Sequence, residues 1–182
     1  MVSMFKLYSW NAWPLSLIFF LIGMIFMGMK KNIAKRMSDM TGYSKKEKLC
    51  AILASTAPYP FMVMTIWTPF TRIAPFLYLG ILVYILGMVL FLASLKVIIV
   101  TPQNEPLRTG PYRFTRNPLY VSATVVFSGI CLVTANIMLV AYLVVATLLQ
   151  HRMILAEERI CKDKYGATFE NYLKDVPRYL FF

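Results

Sequence analysis

The chain is poor in the residues on which most enzyme chemistries depend. Its 182 residues hold one histidine, His151, three cysteines and only eight acidic groups. Cys50, Cys131 and Cys161 show no CxxC spacing. With a single histidine beside them they supply neither a structural zinc set nor a disulfide framework, so no metal is expected. They read as small buried or reduced thiols. No GxSxG, GxGxxG or Walker pattern occurs, which removes the usual signatures of serine hydrolases and nucleotide-binding loops. Internal repeats and low-complexity segments are also absent.

Apolar residues take the place of these features. The hydrophobic fraction is 59% and the mean hydropathy +0.63, beyond the range of an ordinary soluble domain. The formal net charge of +11 does not point to nucleic acid. The basic residues cluster beside apolar runs, where the positive-inside rule and anionic lipid account for them. Trp10, Trp13 and Pro14 precede the first run without a charged leader or a small-residue cleavage site. That run reads as a retained helix.

The hydropathy pattern predicts an all-α membrane protein with about five spans. The first three cover residues 13–29, 49–67 and 75–100, and residues 101–182 form the second half of a single domain. Pro58 and Pro60 should kink or break the second span. Residues 101–109 read as a loop because Pro102 and Pro106 interrupt any helix. Residues 118–149 are too many for one straight crossing of about 20 residues. Thr134-Ala135-Asn136 divides them into a hairpin, 118–133 and 137 onward, with Asn136 as the N-cap. The last helix should run to Tyr165, roughly 45 Å at 1.5 Å per residue, so its end must leave the hydrocarbon. Gly166 should stop it as a left-handed C-cap. The basic residues at 30–48, 101–117 and after 150 place those segments and the C-terminus in the cytoplasm and the N-terminus outside.

Two polar motifs flank the hairpin. The first is Gly110-Pro111-Tyr112-Arg113-Phe114-Thr115-Arg116-Asn117-Pro118-Leu119-Tyr120. Pro118 suits a first helical turn. The free N–H groups there favour an anion, Arg113 or Arg116 can fork a carboxylate, and tyrosine faces can meet a cation. The simpler reading is contact with lipid headgroups plus an interfacial aromatic belt. The second motif runs from His151-Arg152 to Glu157-Glu158-Arg159, Lys162 and Asp163. Its simpler reading is a solvated helix with pairs such as Glu158–Lys162. Otherwise its carboxylates hold a cationic or hydroxyl-bearing ligand. The tail, through Tyr172, Val176-Pro177-Arg178 and Tyr179, either covers a ligand or lies on the membrane.

The ordered set GPY-xxx-R-N-P-x-Y, apolar hairpin, HR-xxxx-EE and KYG-xx-F-xx-Y-xxx-VPR resembles the isoprenylcysteine carboxyl methyltransferase family. The related phospholipid N-methyltransferases share much of it. The resemblance covers residues 101–182. It implies a membrane enzyme that uses S-adenosylmethionine, with Tyr112, Arg116, Asn117, Pro118 and Tyr120 in the cofactor pocket. Glu157 and Glu158 would hold amino or ribose hydroxyl groups, and Tyr172 and Arg178 would close the site. Arg116, Asn117, Glu157 and Glu158 are the implied catalytic set. The acceptor would be a lipid-tailed or prenylated molecule reached from the bilayer.

Carboxyl methyltransferases of this kind usually carry Arg-His-Pro where this chain has Arg116-Asn117-Pro118. Asn117 does not titrate, which removes a histidine acid–base role at that position. Asn-Pro-x-Tyr is the form of the phospholipid N-methyltransferases, although Gly110-Pro111-Tyr112 stands where their Gly-x-Gly element would be. The tail is also similar to that of membrane sterol reductases, which implies an NADPH-dependent alternative. A non-catalytic membrane anchor or lipid-binding protein is the remaining reading.

Overall fold

A computed structural model describes residues 11–29, 40–102 and 105–180. The basic cluster Lys30, Lys31, Lys35 and Arg36, together with Lys6 and Trp10, lies outside the described residues. The described chain is all α: α1 (Trp13–Met29), α2 (Lys45–Thr56), α3 (Pro58–Thr65), α4 (Ala74–Val100), α5 (Pro118–Thr134), α6 (Ile137–Tyr165) and α7 (Ala167–Asp175), with a 3-10 turn at Gly110–Arg113. One isolated bridge, Asn11 with Pro69, joins the approaches to α1 and α4.

Local chemistry sets these boundaries. The expected second span is two helices, and the first begins earlier than its hydropathy indicates. Ser44 and Glu47 form a capping box: Ser44 N–H donates to Glu47 Oε2 at 2.7 Å, and Glu47 N–H donates to Ser44 Oγ at 3.3 Å. Pro58 and Pro60 then remove two N–H donors, and the helix divides at Ala57. The Ala57 carbonyl, left with a long bond from Phe61 N–H at 3.5 Å, also accepts from Tyr142 Oη at 2.8 Å. Thus α6 fastens the break.

The hairpin forms where the sequence places it. Ala135 turns with φ +47°. Asn136 Oδ1 accepts from the N–H groups of Met138 and Leu139 at 2.8 and 3.3 Å, satisfying two orphan donors. Gly166 ends α6 with φ +52° and ψ −136°. Its φ is positive as expected, but its ψ lies outside the left-handed helical well, because the chain restarts at once as α7.

Packing is tightest between α4 and α5, where glycines let the backbones approach. A Cβ on Gly129 would stand 2.6 Å from Tyr84 N, and one on Gly80 2.6 Å from Val133 N. Phe19 of α1 closes this pair with ring centroids 4.6 Å from Phe91 and 5.0 Å from Phe127, while Phe61 of α3 meets Phe127 at 4.7 Å. Large apolar side chains on the outer faces of α4 and α6, such as Leu82, Leu86, Val89, Val144 and Leu148, are exposed. These faces suit lipid rather than water. By length and apolarity, α4 and α6 are the described helices that meet a full crossing, and α1 and α5 are shorter apolar helices. The molecule is an all-α membrane protein, with fewer full-length crossings among the described residues than the five expected from hydropathy.

Candidate functional site

The polar motifs meet at the end of the hairpin away from its turn. Gly110 (φ +56°) starts the 3-10 turn beside Val97, and Pro111 occupies its second position. This buries Tyr112 against Val97 and Ile98. The chain then bends at Arg116 and enters α5 at Pro118. Asn117 stands at the N-cap without capping by its side chain, since its amide points across to α6.

Glu158 is the centre of the arrangement. Arg116 Nε donates to its Oε1 at 3.0 Å. Arg178 grips it in a fork: Nε donates to Oε1 and Oε2 at 3.1 and 3.0 Å, and Nη2 to Oε2 at 2.8 Å. Asn117 Nδ2 adds a longer bond to Oε1 at 3.3 Å. One carboxylate therefore joins the α5 entry, α6 and the tail. Its side chain is 12% exposed and that of Arg116 11%, so these charges act with little solvent screening. The Glu158 bond holds the Arg178 guanidinium even further above its usual range.

Arg116 also fixes the tail backbone. Its Nη1 donates to the carbonyls of Leu173 and Val176 at 2.9 and 2.7 Å, and its own N–H donates to Pro177 O at 2.9 Å. Thr115 Oγ1 donates to Arg178 O at 2.8 Å. Tyr172 Oη donates to Tyr112 O at 2.6 Å, and burial pushes that phenol up. Arg108 lies over the Tyr172 ring, 5.5 Å from its centroid, and donates to Thr168 O. At the far end Tyr179 Oη meets His151 Nδ1 at 2.7 Å. The tail folds over the site residues.

Replacing Arg116 by lysine should release this tail, because one ammonium does not reproduce a fork aimed at two carbonyls and a carboxylate. Losing two hydrogen bonds of about 1 kcal/mol each predicts roughly tenfold or faster amide exchange over residues 173–178. Unchanged exchange would show that Arg116 does not hold the tail.

Glu157 differs from its neighbour. It accepts from Tyr120 Oη at 2.6 Å, and among the described residues it forms no ion pair. The motif thus contains one carboxylate saturated by guanidinium groups and one bonded by a phenol. The Glu158–Lys162 pair of the solvated-helix reading does not form. Lys162 instead reaches Glu170 of α7 at 2.9 Å. Arg113 is exposed and takes no part in the network.

All nine residues singled out from the sequence lie in this neighbourhood, in three linked groups: Arg116, Asn117, Pro118, Glu158 and Arg178; Tyr120 with Glu157; and Tyr112 with Tyr172. Thr115, Arg108 and the 42–47 segment were not anticipated. That segment carries one legible signal, the S-x-x-E of Ser44 to Glu47, which marks a helix start. Arg159 Nη2 reaches it at Gly42 O and Glu47 Oε2, 3.1 and 2.8 Å away.

The fold and site define a class, a helical membrane protein with a charged, tail-covered site at the mouth of a hairpin. Residues 75–168, just over half of the chain, match the phospholipid methyltransferase family, and the chain belongs to it. No curated protein and no solved structure matches the chain. Family membership makes it a membrane methyltransferase, and the matched segment spans α4, the 3-10 turn, α5, α6 and the start of α7.

Proposed function

We propose that the protein transfers a methyl group from S-adenosylmethionine to a lipid-tailed acceptor at the cytoplasmic face of its membrane. The observation that carries this reading is the unequal pair of carboxylates, Glu158 saturated by Arg116 and Arg178, Glu157 bonded by the Tyr120 phenol and without an ion pair among the described residues. A donor set of carboxylate, phenol and guanidinium groups fits a cofactor with a sulfonium, an ammonium, a ribose diol and a carboxylate.

When bound, the cofactor supplies a methyl carbon attached to positively charged sulfur. Glu157 and Tyr120 hold the cationic side. Glu158 acts through its guanidinium partners, fixing the α5 entry and the tail so that Tyr112 and Tyr172 wall the site from water. Asn117 carries no titratable proton, so its part is orientation. Such positioning contributes about 7–11 kcal/mol to a reaction of this type.

A small opening of about 30 Å³, room for little more than a water, lies between α2, α3, α5 and α6. It is lined by Ala57, Pro58, Phe61, Phe127 and Tyr142, with Thr124 and Gln150 at its polar side. Thr124 Oγ1 donates to Tyr120 O at 3.0 Å, one turn from the Tyr120–Glu157 pair. The exposed apolar outer faces of α4 and α6 support an acceptor whose apolar tail stays in the lipid beside the helices with its headgroup near Glu157. An isoprenylcysteine carboxylate needs no base. The second reading is a phospholipid amine, favoured by Glu157, which is placed to take the proton an ammonium must lose before attack.

The test is transfer of labelled methyl from S-adenosylmethionine to a prenylcysteine analogue or to phosphatidylethanolamine vesicles. Labelled lipid should form with one acceptor. Tyr120→Phe should lower the rate tenfold or more, since a hydrogen bond to a charged group is worth about 1.5–3 kcal/mol. Transfer to neither acceptor, with NADPH bound in place of the methyl donor, would instead support the reductase reading.

A further inference from the structure

The segment Gly42–Glu47 is far from the hairpin in sequence, and the family match does not reach it. It nevertheless sits on the site. Tyr43 N–H donates to Met40 O at 3.3 Å, closing a turn, and Gly42 takes φ +84°. A Cβ at Gly42 would lie 3.7 Å from Ile160 of α6, an ordinary packing distance. Arg159, the residue after Glu158, reaches out of α6 to two points of this segment. Its Nη2 donates to Gly42 O at 3.1 Å and to Glu47 Oε2 at 2.8 Å.

The same Glu47 Oε2 accepts from Ser44 N–H at 2.7 Å. Glu47 therefore joins the capping box to Arg159, and the bonds from Ser44, the backbone N–H first, hold its carboxyl below the usual range. Tyr43 stands between the two anchored residues Gly42 and Ser44. It is half-buried, with its phenol raised first by burial and then by the nearby charge of Glu157. Ile160 follows Glu157 by three residues, so Gly42 packs on the face of α6 that carries Glu157, with Tyr43 next to it in the chain.

We propose that Arg159 and Glu47 form a latch that seats Tyr43 beside the Glu157–Tyr120 pair, so that the Gly42–Glu47 segment is the third wall of the cofactor site and tightens when the cofactor binds. This rests on the methyltransferase reading of that site. Tyr43 is a positioning residue: it limits the room around Glu157 and keeps water from its carboxylate. The linkage is reciprocal. If the latch favours ligand, ligand must favour the latch by the same factor.

Reciprocity supplies the test. Lys45, Lys46 and Lys48 are exposed at the start of α2, so trypsin cleavage at these three bonds, mapped by mass spectrometry, reports the segment. The full-length protein in detergent is digested with and without saturating S-adenosylhomocysteine, and binding of that compound is measured calorimetrically. In the wild type the ligand should slow cleavage at least fivefold. Arg159→Ala should be cleaved faster, bind about tenfold more weakly and lose ligand protection at these sites. Arg159→Lys, which keeps the ion pair with Glu47, should recover part of both. Tyr43→Ala should weaken binding while its ligand-free cleavage stays as in the wild type.

Arg159→Ala cleaved faster but binding as well as the wild type, with protection intact, would reduce the latch to a purely structural contact and overturn the proposal alone. A folded wild type that binds neither S-adenosylhomocysteine nor S-adenosylmethionine would remove the methyltransferase reading and this proposal together.

Discussion

Glu158→Ala should abolish cofactor binding and lower the thermal midpoint in detergent by several degrees. The carboxylate accepts from Arg116, Asn117 and Arg178. Its removal leaves two guanidinium groups facing one another with no anion between them. Breaking a buried pair by deleting one partner costs about 3–5 kcal/mol. The lower end applies here, because Arg178 is 31% exposed and regains some hydration. Glu158→Gln keeps the shape and loses the charge, so it should fold better than the alanine variant yet still release Arg178. Exchange over the tail separates the two effects. If Glu158→Ala binds cofactor and melts like the wild type, the centre of the site lies elsewhere.

Gly129→Ala should also lower the thermal midpoint, with no change in any polar group. The added methyl would lie 2.6 Å from Tyr84 N, 2.8 Å from its Cα and 2.8 Å from its Cβ. Two of those atoms are backbone in the middle of α4, which cannot swing aside as a side-chain tip would. The helices must separate, and the contacts near Gly87 and Val126 open with them. Overpacking of this kind costs about 1–3 kcal/mol, and the α4–α5 interface offers little relief because Gly80 and Gly87 make equally close approaches to α5. The same change at Gly28, where a Cβ would meet nothing within 4 Å, should leave the stability within about 0.5 kcal/mol of the wild type and the midpoint nearly unmoved. Equal midpoints for the Gly129 and Gly28 variants would contradict this account of the interface.

Much of this architecture is legible in the sequence where a backbone rule is strong. Asn136 caps a helix because its oxygen reaches the second and third N–H groups, Pro118 starts one because it lacks an N–H, and Gly166 ends one because φ turns positive. The membrane character follows from apolar runs alone. The start of α2 was hidden because Lys45, Lys46 and Lys48 mask it in any hydropathy window, although Ser44 and Glu47 mark it chemically. Partner choice was not legible either. Helical spacing pairs Glu158 with Lys162, but the fold brings up Arg178 from twenty residues away as a bidentate partner for Glu158, and a fork is the stronger arrangement. The glycine contacts depend on the register between α4 and α5, which no single-helix pattern contains. The docking of the Gly42–Glu47 segment is hidden for the same reason: Arg159 reaches it across more than one hundred residues of chain.

The most direct measurement is a calorimetric titration of S-adenosylmethionine and S-adenosylhomocysteine into the purified full-length protein, beside Glu157→Gln. The account predicts micromolar binding of both compounds, with the variant losing more affinity for S-adenosylmethionine, whose sulfonium carries the charge that Glu157 meets. Equal binding by wild type and variant would contradict the role given to Glu157, and no binding by a folded wild type would contradict the methyl-donor assignment itself.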